Sequence, residues 1–190
     1  MSPSRRLKYR DYSSPGLYFV TVCSDFKNCT FGKVLDKEVV LSPLGRIVDE
    51  AWLALPSRTC GIRLHEHVVM PNHIHGIVEI FQHKLAQQAA PLQGSAAFGS
   101  GNVRTPSLSI IVRSFKADVM RRAGIELDWK KEIWQHNYFD RVIRDGREFE
   151  NASRYIVENP SRCQIQGQRL KAVYEARRAQ QAAPLQRDRV

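Results

Sequence analysis

No stretch of the sequence approaches the roughly 18 consecutive apolar residues that span a bilayer, so no membrane-crossing segment is expected. Cysteine is scarce. The four present, Cys23, Cys29, Cys60 and Cys163, show no C-x-x-C spacing and no regular framework, which excludes a disulfide-built scaffold and points to reduced thiols in a cytoplasmic protein. The opening MSPSRRLKYRDYSS carries positive charge with no apolar run behind it, so a signal peptide is not expected. Acidic residues are also short in number, 19 Asp and Glu against 29 Lys and Arg, for a formal charge of +10. That imbalance favours a polyanionic partner. What is not lacking is core material: 43% of the 190 residues are hydrophobic and 25% charged, the balance of an ordinary globular domain.

Along the chain, the β-branched and aromatic run 17–23, LYFVTVC, reads as a strand after the Pro15-Gly16 turn. Short strands are expected at 31–34 and 38–41 around Asp36-Lys37. Ser42-Pro43 then opens a helix with Leu44, Ile47, Val48, Ala51 and Leu55 on one face, expected to stop before Pro56. Strands at 62–70 and 74–80, joined by Met70-Pro71-Asn72, make a hairpin. Residues 82–105 are rich in Ala, Gln, Gly and Ser, and read as a flexible low-complexity insertion. The octamer AQQAAPLQ stands at 86–93 and again at 179–186. Helical periodicity returns at 107–123 through Leu108, Ile111, Val112, Phe115 and Val119. A strand is expected near 137–143 and a helix at 146–159, opened by the Asp145/Glu148 capping pair and closed by Pro160. Interspersed helices and hairpins argue for an α+β domain with helices packed on an antiparallel-rich sheet.

Four of the six histidines fall in two H-x-H pairs, His65/His67 and His73/His75. In a regular strand each pair would present both imidazoles to one face, and two imidazoles can share a divalent metal if a third ligand arrives from elsewhere. In the last helix Tyr155 and Asn159 are four apart and so share a face. Two readings of them stay open from spacing alone. They are a nucleophile and an amide ligand facing the histidines, or a packed edge tyrosine and a C-terminal cap before Pro160.

The segments VVMPNHIHGIVEI (68–80) and IWQHNYFDRVIRDGREFENASRYIVENP (133–160) resemble the HUH single-tyrosine transposases, and among them the REP-associated tyrosine transposases and their insertion-sequence relatives. LYFVTVCSDFKNCTFGKV and SLSIIVRSFKADVMRR are similar to the same family. The resemblance covers residues 15–163 apart from the 82–105 insertion, and leaves 164–190 as a basic tail expected to be disordered. It implies a ferredoxin-like or RRM-like HUH domain. It also implies that His73, His75 and Asn159 hold Mg²⁺ or Mn²⁺, and that Tyr155 is the nucleophile. The implied activity is cleavage and rejoining of single-stranded, hairpin-forming DNA through a 5′-phosphotyrosine, by a monomer or homodimer. A phenolate can attack a phosphodiester and conserve its energy for rejoining, and a cation there would stabilise the developing charge. Ligand chemistry alone suggests zinc or manganese.

His65 and His67 take no role from the resemblance and read as strand surface or support. Tyr138 is a rival nucleophile, read as structural, and Trp134 is read as buried. Arg113, Lys116, Gln135, Arg141, Arg144 and Arg154 are the candidate nucleic-acid contacts. Two other function classes remain: a domesticated hairpin-binding protein that does not cleave, and a metal-dependent nuclease that uses water. The second would need a carboxylate base, for which Glu66 is the near candidate.

Overall fold

The computed structural model describes residues 14–25, 29–81 and 106–163; the 82–105 insertion, the 164–190 tail and both AQQAAPLQ copies lie outside the described residues. Its elements in chain order are β1 (Gly16–Cys23), β2 (Gly32–Leu35), β3 (Glu38–Leu41), α1 (Pro43–Leu53), α2 (Leu55–Arg58), β4 (Ile62–Met70), β5 (His73–Ile80), α3 (Leu108–Leu127), β6 (Phe139–Ile143) and a helix over 146–163, here α4. Strands β4, β5, β1 and β6 form one antiparallel sheet in that order. With β2 and β3 set aside as a separate hairpin, the connectivity is β-α-β-β-α-β with the first and third strands central. This is the ferredoxin-like α+β arrangement.

Alternation along β1 explains how one sheet supports two cores. Tyr18, Val20 and Val22 are buried on one face, and Leu17, Phe19 and Thr21 point to the other. The first face packs on α1, through Leu44, Ile47, Val48, Ala51 and Trp52, and on α3, through the predicted stripe of Leu108, Ile111, Val112, Phe115 and Val119. The second face packs on α4, where Ala152 and Ile156 meet Ile77 and Ile143, with Leu17, Phe19, Val68 and Phe149 around them. The helices start as the sequence requires. Ser42 Oγ accepts from the Gly45 N–H (3.0 Å), Ser107 Oγ from the Ile110 N–H (3.4 Å) and Asp145 Oδ1 from the Glu148 N–H (2.7 Å).

Three expectations are corrected. The first helix does not run on to Leu55: it ends at Leu53, and Leu55–Arg58 form a separate turn. Pro56 sits in the first turn of that piece, where its missing N–H costs nothing. Pro160 does not end α4, which stays helical to residue 163. Proline removes its own hydrogen bond to the carbonyl four residues back and crowds that carbonyl, a local cost that does not forbid continuation. Pro160 is buried, and the Glu158–Arg162 pair (2.7 Å) bridges the turn across it. Asn159 is therefore helix interior and not a cap.

Third, His65 and His67 do not share a face. Leu64 pairs with Val78 and His67 with Gly76, so His65 and Glu66 together oppose Ile77 alone. This β-bulge inserts one residue and reverses the alternation. His65 turns towards α4, 3.0 Å from Glu79 and against the Phe149 ring. His67 turns towards α1, 2.8 Å from Asp49 and stacked near Trp52.

Candidate active site

Pairing register brings the chemistry together. On the α4 face, one row across the sheet reads Val68, His75, Thr21, Phe139, from β4, β5, β1 and β6 in turn. The flanking rows add His73 beside Met70 and Cys23, and Arg141 beside Phe19. Because β5 is regular through this stretch, His73 and His75 do share a face, unlike the pair on β4.

Their Nε2 atoms are 3.0 Å apart. The outer nitrogens are both engaged: His73 Nδ1 lies 2.7 Å from Asn72 Oδ1, and His75 Nδ1 lies 2.8 Å from Thr21 Oγ1. An amide oxygen only accepts, so His73 donates from Nδ1 and leaves Nε2 as a bare lone pair. The Thr21 hydroxyl can rotate to donate or accept. His75 can thus donate its Nε2–H to His73, or carry its proton on Nδ1 and aim a second lone pair at the same point. Burial pushes the His73 imidazole down to about 4. His75, further lowered by His73 beside it, falls to about 3, so both are neutral at physiological pH. Neutral rings with outer nitrogens fixed and inner nitrogens convergent are the state a metal needs. Two nitrogens each about 2.1 Å from one ion at a right angle stand about 3 Å apart.

Tyr155 and Asn159 come from α4. The Tyr155 ring packs edge-on against His75 (5.3 Å between centroids) and against Phe19 (6.0 Å), yet the residue is 40% exposed. Its hydroxyl has no hydrogen bond to a described residue, and the Arg162 guanidinium stands 5.7 Å from its ring. One turn on, Asn159 is buried, and its amide has no hydrogen-bond partner among the described residues. Among the described residues no three His, Cys, Asp or Glu side chains group as a metal site, so the two imidazoles need a ligand of another kind. The two neutral imidazoles, Nε2 to Nε2 at 3.0 Å, fit a divalent cation, and the amide of Asn159, one turn beyond Tyr155, is the further ligand expected from the sequence.

The predicted nucleic-acid contacts scatter more widely. Arg141 enters the site, lining a cavity of about 490 Å³ with Tyr155, His75, Phe19 and Phe139. Arg144 lies just before α4, loosely paired to Glu148 (3.7 Å), and Arg154 is exposed on α4. Arg113 is exposed on α3, the helix that covers the opposite face of the sheet. Lys116 is turned inward, donating to the carbonyls of Gln135 (2.7 Å), His136 (3.2 Å) and Asn137 (3.2 Å), while Gln135 itself is exposed. The Lys116 ammonium therefore fastens the approach to β6 and does not stand free on a polar helix face. Tyr138 is buried on the far side with its hydroxyl 3.2 Å from Ser109, and Trp134 is buried between Phe31 and Phe115, both as read from the sequence. Sequence reasoning missed Thr21, Asn72, Phe19 and Phe139. Asn72 was within reach as the residue preceding His73, but the other three needed the strand register.

A β-α-β-β-α-β sheet that carries two convergent imidazoles, with a tyrosine laid across them from a further helix, defines the class: a ferredoxin-like protein with a two-histidine, one-tyrosine site. The chain belongs to one family with an uncharacterized protein of Haemophilus influenzae, to which it is 36% identical over 159 residues, 83% of this chain and 87% of that one. It shares its fold with a REP-associated tyrosine transposase solved bound to a REP hairpin. That match has a TM-score of 0.53 at 21% identity, over 85% of this chain and 74% of the other. No protein-family model matches the chain.

Proposed function

We propose that this protein is an HUH-type DNA transposase that cleaves and rejoins single-stranded, hairpin-forming DNA in the cytoplasm, with Tyr155 as nucleophile. The observation that carries the reading is the edge contact of the Tyr155 ring with His75, whose Nε2 meets that of His73 at 3.0 Å while the tyrosine itself is 40% exposed. The Tyr155 oxygen attacks the phosphorus, the bond to the 3′ oxygen breaks, and the strand is held as a 5′-phosphotyrosine. The phenol proton is lost to water and the departing 3′ oxygen gains one. Attack by a 3′ hydroxyl on the same phosphorus reverses the step and returns the tyrosine. His73, His75 and Asn159 would hold Mg²⁺ or Mn²⁺, which when bound polarises the scissile phosphate and offsets the charge building on it. Thr21 and Asn72 orient the two imidazoles, and Phe19 fixes the plane of the tyrosine. The REP hairpin bound by the structural neighbour supports a hairpin substrate.

A nuclease that activates water is disfavoured by the fate of Glu66, the carboxylate expected from the sequence to serve as its base. It lies in the bulge and accepts a hydrogen bond from Ser153 on α4 (2.9 Å).

The test is incubation with labelled single-stranded hairpin DNA and Mn²⁺ or Mg²⁺, followed by denaturing gel electrophoresis. Wild type should give a covalent protein–DNA band that is lost with chelator. Tyr155→Phe should abolish the band while leaving DNA binding within about twofold, since the ring is retained. Cleavage that survives the substitution would overturn the tyrosine mechanism, and binding without cleavage by wild type would indicate a domesticated binding protein.

A further inference from the structure

The cavity beside Tyr155 is larger than the tyrosine needs, and its far wall is built from the edge strand β6. Phe139 stands there on the α4 face of the sheet, 48% exposed, next to Thr21 in the row that also carries His75. A phenyl ring left open on an edge strand wastes apolar surface unless something covers it. Three polar groups flank it, of which Asp140 is already engaged and two remain. Arg141, two residues along β6 on the same face, makes no ion pair with a described residue. Asn151 lies four residues before Tyr155 on α4, is exposed, and keeps its amide free of described partners.

We infer that this cavity is a nucleotide subsite, in which the base flanking the scissile phosphate stacks on Phe139, its edge meets the Asn151 amide, and its phosphate pairs with Arg141. The inference rests on the proposed function, because it takes the scissile phosphate to lie between Tyr155 and the histidines. The chemistry favours a nucleotide over other ligands. An open aromatic face takes any base, an unpaired guanidinium takes a phosphate, and an amide both donates and accepts at a base edge. At about 490 Å³ the space is that of a small-molecule pocket, with room for one nucleotide and not for a duplex. The subsite lies on the β1–β6 side of Tyr155 and the imidazoles on the β5 side, so the strand would cross the sheet over the tyrosine. Phe139 would then be a positioning residue that holds the phosphodiester in register.

The experiment is a double-mutant cycle read by fluorescence anisotropy. The probe is a labelled DNA hairpin with oligo-dT single strands on both sides, carrying an abasic analogue at each flanking position in turn. Phe139→Ala should weaken binding of intact probe by roughly 5- to 150-fold, the range of one base–aromatic stack. One abasic position should weaken wild-type binding by a similar factor and cost Phe139→Ala nothing further, which also tells whether the base lies 5′ or 3′ of the cut. Phe139→Trp should keep the affinity, separating loss of the stack from loss of the fold. Binding in which the two changes are additive at every position overturns the subsite and leaves the transposase reading standing. Coupling without any covalent adduct on the matching gel supports the subsite and overturns the cleavage reading. A wild type that does not bind the probe overturns both.

Discussion

At the residue scale, the decisive pair is His73 and His75. Each would take a proton near pH 6.5 in an unfolded chain, but the folded protein holds His73 neutral down to about 4 and His75 to about 3. Between those values the unfolded state binds more protons than the native one. Stability is therefore full above pH 6.5 and falls as the solution is acidified towards pH 4. The expected loss is on the order of a few kcal/mol for the pair, read as a lower urea midpoint at pH 4.5 than at pH 7.5 in the presence of chelator. Replacing both histidines by Asn should flatten that dependence. The pairing of His73 with His75 was legible because two residues two apart in one strand share a face, whereas spacing left Tyr155 open and only the family resemblance singled it out. Thr21 was not legible, because its value lies in standing opposite His75 across a strand pair, and register between distant segments is not written in either one. The same holds for Lys116: periodicity placed it on a polar helix face, and only tertiary structure shows three carbonyls waiting for it.

At the element scale, β5 carries the site on one face and packs on α1 with the other. Gly76 lies between His75 and Ile77, and a Cβ there would run into the indole of Trp52. The side chain is absent so that α1 can seat its largest residue directly on the strand. Gly76→Ala should cost about 1–3 kcal/mol of stability in urea unfolding, as overpacking does. It should also lower cleavage at a temperature where the variant remains folded, because the displaced backbone carries His75. The alternating pattern read the strands correctly to within a residue or two. It failed at β4, where a bulge carries no sequence signature of its own and the H-x-H spelling suggested a regular strand. It failed again at Pro160. The helix runs on to residue 163, with Glu158 and Arg162 paired across the proline.

At the scale of the whole molecule, the described residues balance, 16 Lys and Arg against 16 Asp and Glu, so the formal +10 of the chain comes from the sequence outside them. Arg141 is in the site, Arg144 and Arg154 are on its side through α4, Arg113 is on the other side, and Lys116 is spent on the loop before β6. If three arginines neutralise phosphates, the logarithm of the binding constant for single-stranded DNA should fall with the logarithm of salt at a slope of about −2. A titration from low to moderate salt measures it. A slope near twice that value would bring in the basic 164–190 stretch, and removing that stretch should then restore the shallower line. The order of periodic segments pointed to the α+β class, and composition raised the expectation of a polyanionic partner. It did not say where on the surface the charge would gather, because that depends on which helix covers which face.

The bulge in β4 has a consequence for how this chain can change length. Removing Glu66 would leave His65 opposite Ile77 and every other pairing of the hairpin as it is. Removing any one residue from 68–70 would instead turn the rest of β4 over by half a period against β5, whose own register is held by β1. The strand thus has one place where a codon can be lost harmlessly, next to a stretch where parity is fixed. In lineages of this protein, insertions and deletions should collect on the near side of His67 and stop there.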